Sequence, residues 1–170
     1  MKNRLYPKKE IGVLVLLGGS NMLLIAHRGL MDGPNKELEN HPDQIRRAWE
    51  AGYDCEIDLW VKGKEFWLGH DEPQYQIDVH FLYQGPAWIH AKNLEALYYL
   101  TFTELDYFWH QNDDFVITSN GCIWTYPGKE LTDCSIMVMP EWNNPDLTDF
   151  IIPECSGICT DYVNKVKSLI

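Results

Sequence analysis

The sequence predicts an α/β fold, a compact or reduced (β/α)8 barrel of the TIM type with shortened or missing helices. Three observations lead there. Strand-like apolar runs recur eight times in 170 residues, helical segments fall between some of them, and several runs end in polar side chains of the catalytic type. Parallel α/β proteins deliver chemistry to the rim of a sheet in this way. A full barrel takes about 250 residues, so the deficit must come out of the helices. An open α/β sheet satisfies the same pattern and stands as the alternative.

The first run, 23–26, is "LLIA", followed by His27, Arg28 and Gly29. Next comes "HPDQIRRAWEAG", where Pro42 sits in a first helical turn and Gly52 just past the last, with Ile45, Ala48 and Trp49 on one face. The second run, 53–61, and the third, 65–68, are separated by "VKGKE" and read as a hairpin with Gly63 at its bend. Further runs lie at 87–91, 107–109, 115–118, 135–139 and 157–160, and helices at 93–102 and 164–170. The segment "SNGCIWTYPGK", 119–129, is an aromatic loop whose Trp124 and Tyr126 either line a pocket mouth or seal a barrel end.

Fourteen basic residues against 25 acidic ones give a net charge of -11. Phosphate backbones are repelled by such a surface, which argues against nucleic acid and anionic membranes as partners. A small anionic substrate would need a locally positive pocket. The five cysteines show no CxxC spacing, so neither a disulfide framework nor a zinc knuckle is indicated, and reduced thiols in a cytoplasmic protein are the simpler reading. Residues 1–21 begin with basic residues followed by an apolar stretch, superficially like a secretory signal, but that stretch is short, broken by Gly12, and followed by no clean cleavage site. They are read as an N-terminal extension of open status, either dispensable or an upstream start, ahead of a single domain over 22–170. With no run near the roughly 18 apolar residues of a membrane span, stable insertion is not expected.

Four strand ends carry the chemistry: "AHRG", "CEIDLW", "LGHD" and "IHAKN". Glu56 and Asp58 are two apart on an extended chain, so both carboxylates point to one side and can share a cation. Inside an apolar segment unpaired charges are costly, and a bound cation removes that cost. His90 and Lys92 share a face by the same period, and His70 follows the third run. Two histidines, two carboxylates, an arginine and a lysine at successive strand ends are the tools of phosphate-ester cleavage: acid, base, metal site and anion clamp.

The order "HRG", "EN", "EID" and "GHD" resembles the glycerophosphodiester phosphodiesterase family of barrel-type, metal-dependent hydrolases, with the strong part over 23–71 and weaker echoes at 87–93 and in "GICTDY". The resemblance implies His27 and His70 as the catalytic acid/base pair, with His70 the favoured acid and the reverse assignment open. It implies Arg28 and Lys92 as phosphate-binding residues and Glu56 and Asp58 as ligands of a divalent metal, Mg²⁺ first, with Ca²⁺, Mn²⁺ or Zn²⁺ as alternatives. Glu39 and Asn40 match the Glu-Asn pair and are expected to support the site from behind. One departure stands out: His90 occupies the position of a further metal-binding glutamate. An imidazole there suits Zn²⁺ or Mn²⁺ better than Ca²⁺. The compressed second half implies a shallow, open site. The expected activity is hydrolysis of a small glycerophosphodiester-like substrate. The alternatives are a lipid or sugar-phosphate diester as substrate, or an inactive phosphate-binding relative.

Overall fold

The computed structural model describes residues 22–170, and the expected extension, residues 1–21, lies outside the described residues. Ten strands form one sheet: β1 (Leu23–His27), β2 (Asp54–Lys62), β3 (Glu65–Leu68), β4 (Tyr75–Ile77), β5 (Ala87–Ala91), β6 (Asp106–Phe108), β7 (Phe115–Ile117), β8 (Ile123–Thr125), β9 (Ser135–Val138) and β10 (Gly157–Thr160). Three short α-helices accompany them among the described residues: α1 (Pro42–Glu50), α2 (Leu94–Leu100) and α3 (Val163–Lys167). The parallel ladder runs β6-β5-β2-β1-β10-β9-β8, and β7 closes its far edge antiparallel to β8. The long β2 pairs with β1 at its start, with β5 in its middle and with β3 at its end, where the predicted hairpin turns at Gly63 with φ of 62°.

This architecture corrects the expected (β/α)8 barrel. Helix and strand do not alternate around a ring; the chain forms a mixed, curled half-barrel sheet with few helices. The reason is connection length. A parallel crossover needs roughly a dozen residues or more to carry a helix; the segment 126–134 between parallel β8 and β9 is too short, and 109–122 between β6 and β8 is taken up by β7. The chain instead returns through β7, a strand where a barrel would place a helix. Among the described residues no strand pairing joins β6 to β7. Across that seam Ser119 donates its N–H to the Tyr107 carbonyl at 2.8 Å, and its Oγ accepts the Tyr107 N–H at 2.9 Å.

Where helices are present they follow the predicted signals. In α1 the His41 ring accepts the Asp43 N–H, Pro42 occupies the first turn, and Ile45 and Ala48 are fully buried against β2. In α2 the Asn93 side chain caps the helix by accepting the Ala96 N–H. The period of two then divides each central strand between two interiors. Cys55, Ile57, Leu59 and Val61 of β2, with Ala87, Ile89 and Ala91 of β5, belong to the core under α1 and α2. Ile25, Trp88, Phe108, Trp124 and Ile136 fill a second core. No described helix shields β7, which leaves Phe115 50% and Ile117 77% exposed.

Candidate metal and catalytic site

Among the residues skipped by the helix-side core are the ionisable ones. Glu56 and Asp58 alternate with Cys55, Ile57 and Leu59, and His90 alternates with Ile89 and Ala91. His27 ends β1 in register with Glu56, and Asp58 is in register with His90. The structure therefore brings His27, Arg28, Glu56, Asp58, His70, His90 and Lys92 around one cavity of about 420 Å³.

Glu56 and Asp58 are buried, at 3% and 1% exposure. His90 Nδ1 lies 3.0 Å from Asp58 Oδ1 and 3.9 Å from Glu56 Oε1, while His90 Nε2 is 3.0 Å from the His110 carbonyl. A carbonyl accepts only, so Nε2 bears the hydrogen, and in a neutral ring the Nδ1 lone pair is aimed at the carboxylates. An acceptor nitrogen that close to an acceptor oxygen is stable only with a proton or a cation between them. Asp58 Oδ1 has the same lack: it is buried, and among the described residues no hydrogen bond is directed at it even though Lys92 Nζ stands 3.4 Å away. One donor atom from each of Glu56, Asp58 and His90 lies within 4.8 Å of the others. This buried triad could hold a metal ion, and its mix of two carboxylates and an imidazole suits a first-row divalent cation.

The charges respond to this crowding. Burial pushes Glu56 above the usual carboxylate range and the charge of Asp58 adds to the rise, against opposition from His27, His90 and Arg28. Burial would raise Asp58 too, but the His90 contact, with Lys92 and Arg28, outweighs it and holds this carboxyl well below its ordinary value.

Glu39 and Asn40 act from behind. Arg28 Nη1 donates to Glu39 Oε2 at 2.6 Å and its Nε lies 3.3 Å from Asp58 Oδ2. Asn40, fully buried, donates from Nδ2 to Asp58 Oδ2 at 2.8 Å and accepts the Asp58 N–H at Oδ1 at 2.9 Å. Arg28 and Gly29 turn the chain away from β1 through left-handed conformations, with φ of 52° and 78°. That turn aims the Arg28 N–H at Glu56 Oε2, 3.2 Å away. A Cβ on Gly29 would press on Ile45 of α1 at 3.0 Å.

Two residues without an assigned role in the sequence orient His27. Its Nδ1 is 2.7 Å from Asp161 Oδ1, and Glu141 accepts both the Asp161 N–H, at 2.8 Å, and the Thr160 hydroxyl. Asp161 sits just past β10, whose Thr160 is in register with Ala26 of β1. An acid following the final strand in "GICTDY" was the available signal, but only the adjacency of first and last strands connects it to His27. Burial would lower the His27 pKa; the Asp161 hydrogen bond and the Glu56 charge prevail and raise it. His70, more exposed at 37% of its side chain, pairs through Nδ1 with Asp71 Oδ1 at 2.7 Å. Its pKa is lowered, by burial first and by Arg28 and Lys92, against Asp58 and Asp71.

The rest of the cavity is aromatic. Phe108 stacks on His90 with ring centroids 5.0 Å apart and on Trp124 at 4.5 Å. His110 leads to Tyr126 at 6.0 Å, and Tyr126 meets Trp142 edge-on at 5.9 Å. Of the two readings of 119–129, the structure gives pocket lining: Ile123–Thr125 is a strand, and Trp124 and Tyr126 both face the cavity.

In comparisons with known proteins, no family model, no curated protein and no solved structure matches the chain. Among the described residues no helix is long and apolar enough to cross a membrane.

Proposed function

We propose that the chain is a phosphodiester hydrolase of small substrates whose site is completed by a divalent cation on Glu56, Asp58 and His90. The observation that carries the reading is the buried Asp58 oxygen, without a hydrogen bond among the described residues, facing an imidazole lone pair in a cavity that also holds three further imidazoles, an arginine and a lysine. With an imidazole among the ligands, Mn²⁺ or Zn²⁺ fits better than Ca²⁺, and Mg²⁺ is weakened as first choice. When bound, the cation supplies positive charge against the phosphoryl oxygens and the developing charge of the transition state.

The chain's own groups do the rest. Arg28 and Lys92 hold the remaining phosphoryl charge. His27 and His70 each commit Nδ1 to a carboxylate, so each offers Nε2 to the reaction. His27 lies between Asp161 and Glu56, which favour its imidazolium, and is suited to protonate the departing alkoxide. His70, flanked by Arg28 and Lys92, is suited to take the proton from the attacking water or neighbouring hydroxyl. This reverses the acid assignment favoured from sequence.

The test is hydrolysis of bis(p-nitrophenyl) phosphate by protein stripped with EDTA and reloaded with Mn²⁺, Zn²⁺, Mg²⁺ or Ca²⁺. Activity should return with one of the first two, and His27→Ala or His70→Ala should lower kcat by about 10²–10⁴. Unchanged turnover in His27→Ala sinks the reading. One observation favours a second reading. His90, if protonated, and Lys92 already stand 3.0 and 3.4 Å from Asp58, so internal cations can neutralise the acids and leave a noncatalytic phosphate-binding pocket. Calorimetry showing phosphate binding, no metal binding and no turnover would select it.

A further inference from the structure

The cavity has two unlike halves. Its ionic groups come from β1, β2, β5 and the residues just after β1, β3 and β5; the other half comes from β6, β8, β9 and the connections beyond them, and consists mainly of rings. On that side Phe108 and Trp124 are buried at 3% and 5%, whereas Tyr126 and Trp142 stand 39% and 58% exposed at the end of the ring series.

We propose that the diester bound here carries an uncharged planar ring, aryl or nucleoside, on one of its two alcohols, seated against Tyr126 and Trp142. This rests on the phosphodiester reading above. Three features support it. A cavity of about 420 Å³ falls in the ~300–1,000 Å³ range of pockets for drug-sized organic molecules, more than a phosphate with a short polyol requires. The ring-lined half offers flat apolar faces, to which a planar group adds stacking and a polyol does not. Among the described residues no carboxylate lines that half, Glu141 beside Trp142 being buried and committed to Thr160 and Asp161, so a cationic alcohol would meet ring faces alone, and the choline ester measures that competitor. The charge of the ligand then lies wholly at the phosphate, among Arg28, Lys92 and the metal ligands.

The test is calorimetry on metal-loaded His27→Ala protein, whose missing acid spares the P–O–C bond, with three diester mimics, the methylphosphonate monoesters of benzyl alcohol, ethanol and choline. The benzyl ester should bind about tenfold tighter than either of the others, the size of one ring-stacking contact. In Trp142→Ala and Tyr126→Ala the benzyl-to-ethyl ratio should fall toward one, and Trp142→Phe should keep most of it. Equal binding of benzyl and ethyl esters, a preference for choline, or a benzyl preference that survives both alanine variants overturns the proposal. Turnover of bis(p-nitrophenyl) phosphate without a benzyl preference removes the ring subsite alone. A benzyl preference without any turnover leaves the subsite standing and removes the hydrolase.

Discussion

Asn40 has φ of 60°, a left-handed conformation that asparagine tolerates better than most residues, and from it both ends of its amide reach Asp58. Asn40→Ala strands a buried N–H and a buried carboxylate oxygen, so it should cost about 2–4 kcal/mol. Urea denaturation measures that loss, and metal affinity by calorimetry should weaken with it. His27 gives a prediction in pH. Its folded pKa is raised above the ordinary value of about 6.5, so the stability contributed by the His27–Asp161 pair is fully present below that pH and is lost as pH rises through the raised value. Melting of metal-stripped protein should decline across that window, and Asp161→Asn should flatten the decline. Asp58, with its pKa depressed, acts in another window: its contribution is present above the carboxylate range and disappears in acid. Glu56 with Asp58 and His90 with Lys92 were legible in sequence because a period of two sets each pair on one face of its strand, and His27 because an aliphatic run ends on it. Asp161 was not, because it meets His27 across 134 positions of chain, and which strands become neighbours is a tertiary outcome. His110 was missed for a related reason: its backbone carbonyl, which no sequence pattern marks, orients His90.

Among the elements, strands with helical caps or turn glycines nearby could be read directly. The hairpin at Gly63 and the helix after His41 rest on local chemistry that tertiary packing did not override. The two strands that sequence reading missed, β4 and β8, are three residues long, no shorter than β6 and β7, but they lie among Pro, Gly, Asn and acidic residues that read as loop. Their pairing with β3 and with β7 and β9 makes them strands. One close approach tests how α1 is seated: Gly85, just before β5, lies against the Trp49 ring so closely that a Cβ there would overlap the indole. Trp49 is also pinned, donating from Nε1 to the Pro86 carbonyl at 2.8 Å. Gly85→Ala should therefore destabilise by about 1–3 kcal/mol, read by chemical denaturation. It should leave metal affinity intact, since α1 supports β2 from the side away from the cavity.

For the molecule as a whole, the proposed cation on the buried acids would make folding and metal binding one equilibrium. A cation that binds only the folded protein adds about 2.7 kcal/mol at 100 times its Kd. In a chain of this length that raises Tm by about 5–10 °C. Scanning calorimetry with Mn²⁺ or Zn²⁺ should show the rise, EDTA should reverse it, and Asp58→Asn should abolish it. The α/β class was legible from alternating signals, whereas the closed ring was not: eight apolar runs fit a barrel or an open sheet equally well, and connection lengths decided for the curl.

The unpaired seam between β6 and β7 ends in a property of shape. A closed cylinder of strands has its bore fixed by an unbroken circuit of amide bonds. Here the circuit is interrupted, and the contacts carried across are the Ser119–Tyr107 tie and rings meeting rings, Phe108 on Trp124 and His110 beside Tyr126. Rings slide and part at far less cost than a ladder unzips, so a guest is expected to widen the mouth at this seam and not among the paired strands opposite, where the acid pair is anchored.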